Sequence, residues 1–194
     1  MALVEPLQIT QLVTAVFEKL NISYLIVGSL ASSLHGIPRA TQDVDLVADL
    51  ELHHILPFVK ALESAFFVDA DSIREAIHQR SSFNIIHLAT MFKVDIFIPK
   101  NDPISQAEMA RRERYRVSDE PRQEFYIASA EDMILRKLNW FRLGGEISER
   151  QWQDVLGILE VQHKKLDRLY LQQGAQQMGV NDLLERAFID AGIP

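Results

Sequence analysis

The chain contains no cysteine, which excludes disulfides and any cysteine-ligated zinc and fits a reducing cytoplasm. Glycine (8) and proline (7) are sparse among 194 residues, too few for a collagen-like or low-complexity chain. No run approaches the ~18 consecutive apolar residues of a membrane span, and Met1 to Leu20 lacks the basic start and apolar stretch of a secretory leader. An excess of basic charge is missing too. The formal net charge is −7, so a polyanion would have to bind through a local basic surface. With 47% apolar and 24% charged residues, the chain has the composition of one compact domain, or of one domain with a small helical extension. A cytoplasmic protein without a membrane partner is expected.

The periodicity of the apolar residues gives the organisation. Leu7 to Leu20 repeats at three- and four-residue spacing and predicts an amphipathic helix. The continuously apolar Tyr24-Leu25-Ile26-Val27 predicts a buried strand stopped by Gly28-Ser29, with a short helix over Leu30 to His35. Asp43 to Val47 alternates strictly, as a strand does, and a helix is expected from His53 to Ser64. A short strand at Phe66 to Val68 and a helix at Ile73 to Gln79 precede two strands, Phe83 to Leu88 and Phe92 to Ile98. The short Ala89-Thr90-Met91 connection makes these an antiparallel hairpin. Next come a helix from Ile104 to Arg114 ending in a basic cluster, a loop at Ser118 to Pro121 and a strand at Glu124 to Ile127. Ser129 and Ser148 each open a helix with a capping pattern, and helices over Lys165 to Met178 and Asn181 to Ala191 close the chain. The fold class expected is α/β (α+β): a mixed-sheet core over residues 1–128 and a helical C-terminal part over 129–194, packed on it.

Asp43 and Asp45, two apart on a strand, project from one face, while Val44 and Leu46 point to the other. Two ionised carboxylates side by side repel and call for a cation. Oxygen ligands, with no cysteine and no paired histidines, suit magnesium or manganese rather than zinc. Asp95 interrupts the apolar strand Val94-Asp95-Ile96, where an unpartnered charge is costly. If its strand lies beside that of Asp43 and Asp45, three carboxylates converge, as in-line phosphoryl displacement between metals ~3.5–4 Å apart requires. As a lone carboxylate, Asp95 would pair with Lys93 or an arginine. Upstream, Gly28-Ser29 places free backbone amides and a hydroxyl at a helix start, where a phosphate is favoured. Arg39 and Thr41 offer a guanidinium and a hydroxyl to the same phosphates, or else belong to a solvated turn. Trp140 and Trp152 suit packing better than base stacking, and the adjacent His53 and His54 are expected to diverge.

The run Gly28-Ser29 to Asp43-Val44-Asp45, with a later strand carboxylate at Asp95, resembles the DNA polymerase β-type nucleotidyltransferase superfamily. Gly28-Ser29-Leu30-Ala31 through Gly36-Ile37-Pro38-Arg39-Ala40-Thr41-Gln42-Asp43-Val44-Asp45-Leu46 is most similar to its small prokaryotic branch, which includes AbiEii-like toxins. The resemblance implies a nucleotidyltransferase core that binds an NTP such as ATP with Mg2+ or Mn2+. Asp43 and Asp45 would hold the metals; Asp95 would complete one metal site and help deprotonate the acceptor hydroxyl. Ser29, beside Gly28, would hold a β- or γ-phosphate. Asp132-Met133-Ile134-Leu135-Arg136-Lys137-Leu138 and the later Asp154 fit the branch's helical motifs, which implies that Lys137 touches the triphosphate and Asp154 orients it; surface pairing of the two is the other reading. Transfer to a hydroxyl on RNA such as tRNA, on a protein or on a small molecule is implied, with an antitoxin partner if the toxin likeness extends that far. The alternative is a catalytically silent nucleotide-binding or regulatory module of the same fold. Retention of all three carboxylates argues against it, because charges that repel without a metal serve no purpose in a silent copy.

Overall fold

The computed structural model describes residues 4–119 and 122–193. In chain order the elements are α1 (Val4–Lys19), β1 (Tyr24–Val27), α2 (Gly28–His35), β2 (Asp43–Ala48), a 3-10 turn (Leu52–His54) leading into α3 (Ile55–Leu62), β3 (Phe66–Phe67), α4 (Ala70–Gln79), β4 (Ser82–His87), β5 (Lys93–Phe97), α5 (Pro103–Arg111), β6 (Glu113–Asp119), β7 (Arg122–Ile127), α6 (Ala130–Leu143), α7 (Glu149–Gln162), α8 (Arg168–Met178) and α9 (Asn181–Asp190). None of the described helices is long and apolar enough to cross a membrane.

The residues fall into two compact units. One holds the chain up to Leu30 together with Ala40–Ala128; the other holds Ala31–Arg39 and the chain from Ser129 onwards. Residues 31–39 therefore cluster with the C-terminal helices, and α2 begins in the first unit and ends in the second.

The first unit is built on a seven-stranded sheet in the order β3-β4-β5-β2-β1-β7-β6. It is mixed: β2 runs parallel to β5 and β1 to β7, while β1/β2, β4/β5, β3/β4 and β6/β7 are antiparallel. The fold is the α/β mixed-sheet core with a C-terminal helical part that the sequence predicts. Strand alternation sorts the two faces. Tyr24, Ile26, Val44, Leu46, Val94 and Ile96 share one face and are at most 1% exposed. Helices α1 and α3 lie against this face, where Phe17 stacks on Phe58 at 5.5 Å and Phe58 meets Phe83 edge-on at 6.3 Å. Aromatic pairs of this kind contribute about 1 kcal/mol each beyond their burial. The opposite face carries Asp43, Asp45 and Asp95.

Four local expectations change. Helix α5 stops at Arg111 rather than Arg114, and Glu113–Asp119 is a strand. The alternation Arg114-Tyr115-Arg116 has the period of a strand, and both arginines reach Glu124 on β7, at 3.9 and 3.2 Å. Cross-strand charge pairing outweighs the helical reading of the basic run. Of the loop expected at Ser118 to Pro121, Ser118 and Asp119 belong to β6, and Glu120 and Pro121 lie outside the described residues. Ser148 precedes α7 without a side-chain capping bond; its carbonyl accepts from Gln151 and Trp152 instead. His53 and His54 do not diverge. The tight turn brings their rings to 3.8 Å, and burial together with His53 depresses the pKa of His54.

In the second unit α6 and α7 pack through Ile134, Leu138, Phe141, Trp152, Val155 and Ile158, all nearly or fully buried. Phe141 and Trp152 lie ring to ring at 5.1 Å, and the Trp152 indole N–H donates to Asp190 on α9. Trp140, one position along α6, is 55% exposed. Ser129 caps α6: its Oγ accepts from the Asp132 amide at 3.1 Å and donates to Asp132 Oδ2 at 2.6 Å. The Tyr170 hydroxyl on α8 donates to the other carboxylate oxygen.

Candidate active site

Asp43, Asp45 and Asp95 come together through strand register. In the parallel β2/β5 pair Asp45 lies opposite Asp95 and Asp43 opposite Lys93, and register partners on adjacent strands point to the same face. The three carboxylates are thus on one face, half-buried, while their neighbours Val44, Leu46, Val94 and Ile96 are buried in the helix-covered core. Burial of those neighbours locks the register, because a one-residue slip would send the aspartates into the core.

Gly28 ends β1 and starts α2 with φ of +65°, a backbone state that glycine adopts freely. A Cβ placed there would stand 1.9 Å from Asp45 Oδ2. The glycine therefore lets the Asp45 carboxylate lie directly against the strand-to-helix turn, beside the first amides of α2 and the half-buried Ser29. Thr41 stands next to Asp43: its hydroxyl is 2.9 Å from the Asp43 carbonyl oxygen and 3.1 Å from Oδ1. Lys93 is the residue that sequence reasoning treated only as a possible charge partner. Its Nζ lies 2.7 Å from Asp95 Oδ2. The hydrogen bond to Asp95 raises the Lys93 pKa above the ordinary lysine value, against a smaller loss from burial, and the charges of Asp95, Asp43 and Asp45 add to the rise. The spacing Lys93-Val94-Asp95, two residues on one strand face, was the available signal.

As the side chains stand, no group of three or more His, Asp or Glu among the described residues is gathered into a metal cage. The donor set nonetheless fits a hard divalent cation: oxygen atoms only, on one strand face, with a glycine cradle against one of them. A cavity of about 680 Å³ in the first unit lies elsewhere, beside Tyr24, Arg112 and Tyr126 at the opposite end of β1 from Gly28. There the Arg112 guanidinium lies 4.7 Å from the centre of the Tyr126 ring and Arg114 donates to the Tyr126 hydroxyl. The basic run is engaged in intramolecular contacts.

Arg39, Lys137 and Asp154 form a cluster within the second unit. Arg39 makes a two-pronged contact to Asp154, Nε to Oδ1 at 2.7 Å and Nη2 to Oδ2 at 2.8 Å, and Lys137 Nζ reaches Oδ2 at 2.7 Å. The side chains of Lys137 and Asp154 are 10% and 6% exposed, so this is a buried pair rather than a surface one. Burial pushes the Asp154 carboxyl upwards, but the hydrogen bonds from Arg39 and Lys137 outweigh it and hold the group below the usual carboxylate range. The segment carrying Arg39 is fixed by close approach to α7. A Cβ on Gly36 would meet the Gly157 carbonyl carbon and the Ile158 nitrogen at 2.8 Å, the Gln162 side chain donates to the His35 carbonyl, and Ser33 Oγ accepts from the Arg39 amide.

With the sheet order and the carboxylate register established, solved structures supply the comparison. The antibiotic-resistance factor ANT(2'')-Ia is similar over 98% of this chain and 96% of its own, with a TM-score of 0.54 and 12% identity. The lincosamide antibiotic adenylyltransferase LnuA, solved with lincomycin bound, is similar over 76% of this chain and 92% of its own, at a TM-score of 0.50 and 17% identity. A nucleotidyltransferase-like protein from Paracoccidioides brasiliensis matches over 92% of both chains, at 0.51 and 18%. The chain has a nucleotidyltransferase fold. No family model and no curated protein matches it, and at these identities the likeness speaks to the fold alone.

Proposed function

We propose that this chain is a metal-dependent nucleotidyltransferase that moves a nucleoside monophosphate from an NTP to a hydroxyl acceptor and releases pyrophosphate. The observation that carries the reading is the register of β2 and β5, which sets Asp43, Asp45 and Asp95 on one face with Gly28 against Asp45. Asp43 and Asp45 would hold Mg2+ or Mn2+, with Asp95 as the third ligand; the metal would neutralise the triphosphate and polarise its α-phosphorus. The α2 amides and Ser29 would hold a phosphate of the NTP. Asp95, a carboxylate at the same position, takes the proton of the acceptor hydroxyl as that oxygen attacks phosphorus and the bond to pyrophosphate breaks. Within the second unit Arg39 and Lys137 both contact Asp154, and these cations would also meet an anion such as a nucleotide phosphate.

A small hydroxylated molecule is the favoured acceptor. The basic residues Arg112, Arg114 and Arg116 are engaged within the protein, and LnuA was solved with lincomycin bound. A tRNA or protein acceptor, a toxin role with an antitoxin partner and a cytoplasmic location rest on the sequence resemblance and composition alone. The test is incubation with each labelled NTP, Mg2+ or Mn2+, and separate pools of RNA, protein and small hydroxylated compounds. Label transfer that requires Asp95 supports the reading. NTP binding with no transfer in any pool would favour the catalytically silent module.

A further inference from the structure

Lys93 lies two residues before Asp95 on the same strand face and opposite Asp43 across the β2/β5 pair. Its ammonium is 2.7 Å from Asp95 Oδ2, and its side chain is 46% exposed, so the stem is free to swing away from the sheet. We propose that Lys93 is a tethered counter-cation for the Asp43, Asp45 and Asp95 set, holding the carboxylates together in the metal-free protein and competing with a divalent ion for them. This inference rests on the metal-site reading above.

The physical argument is a charge balance. Three ionised carboxylates on adjoining strand positions repel one another, and an ammonium beside them relieves that repulsion without any bound ion. The same ammonium occupies an oxygen that a metal would need and repels a doubly charged ion at Asp43 and Asp45. Bare metal therefore binds weakly while Lys93 stays on Asp95. A nucleotide changes the balance, because its phosphates offer the displaced ammonium a new partner. Metal and nucleotide are thus favoured together, and Asp95 is released to act as proton acceptor only once both are in place. Lys93 is a positioning residue in this scheme, not a catalytic one.

The experiment measures Mn2+ binding to the full chain without nucleotide, by calorimetry or electron paramagnetic resonance, together with the metal-free melting temperature. Wild type, Lys93→Met, Lys93→Gln, Lys93→Arg and the Asp43→Ala/Asp45→Ala double variant are compared. The Met and Gln variants keep the stem without the charge, so either serves if the other folds poorly. We expect them to bind Mn2+ about fivefold more tightly than wild type, the scale of an exposed charge pair, and to melt lower without metal. Lys93→Arg should stay near wild type, and the double aspartate variant should lose binding. If Mn2+ binding needs Asp43 and Asp45 but is no tighter in the Met and Gln variants, the role of Lys93 is overturned and the metal site stands. If no variant binds Mn2+, or binding survives loss of both aspartates, the metal-site reading fails and this inference with it.

Discussion

Gly28 and Asp45 are in such close approach that a single methyl group on the glycine would fall 1.9 Å from the carboxylate. Gly28→Ala should accordingly do two things. The left-handed backbone alone costs roughly 1–2 kcal/mol for a residue with a Cβ, which lowers the melting temperature. Asp45 must also turn away, so the variant should lose the stabilisation that Mg2+ with an NTP gives to wild type. A variant that melts lower but keeps the full ligand-induced shift would separate the turn from the site.

Ligand that binds only the folded state raises the melting temperature, by an amount equivalent to about 2.7 kcal/mol at 100 times its Kd. Asp43→Ala with Asp45→Ala should abolish the shift seen with Mg2+ and an NTP while leaving a folded protein, since both side chains are half-exposed and their repulsion is removed. Differential scanning fluorimetry measures this directly. Collapse of the double variant would make these residues structural.

Asp95→Asn keeps the shape but can neither carry the charge nor take up a proton. Transfer should fall by about 10²-fold or more, the scale of losing a general base, with NTP binding largely retained. Single-turnover assays beside equilibrium binding make the distinction. Unchanged turnover would remove Asp95 from the site.

Asp154 gives a pH-dependent prediction. Its pKa is depressed in the fold by Arg39 and Lys137 against the opposing effect of burial, so it contributes stability that is fully present above the unfolded value of about 3.9 and is lost as pH falls through the lower folded value. Asp154→Asn should flatten that acid limb of the stability profile. At neutral pH it leaves the buried Lys137 without its partner and should cost roughly 3 kcal/mol. Urea denaturation at pH 7 and across the acid range checks both, and an acid limb equal to wild type would contradict the ion-pair account.

Much of the site was legible in the sequence because a strand has a period of two. Asp43-Val44-Asp45 and Val94-Asp95-Ile96 each state which residues share a face, and the buried alternation Val44, Leu46, Val94, Ile96 fixes that face against slippage. The turn at Gly28 was equally plain, since an apolar run ending in glycine and serine has few other meanings. The strand β6 was not legible, because Arg114 and Arg116 satisfy a helix end as well as a strand until Glu124 is placed opposite them.

The sequence by itself determined most of the elements, though not β6, together with the pairing of Asp43 with Asp45 on one face and the glycine that lets a carboxylate approach the turn. Only the tertiary structure decided that β5 lies parallel beside β2, which puts Asp95 opposite Asp45, and that Lys93 turns to Asp95. It also decided that Arg39 and Asp154, 115 positions apart, form a two-pronged ion pair. Faces and turns follow from local backbone periodicity and are written in a few adjacent residues. Strand neighbours and distant charge pairs follow from how the whole chain buries its apolar faces, and no short stretch of sequence contains that.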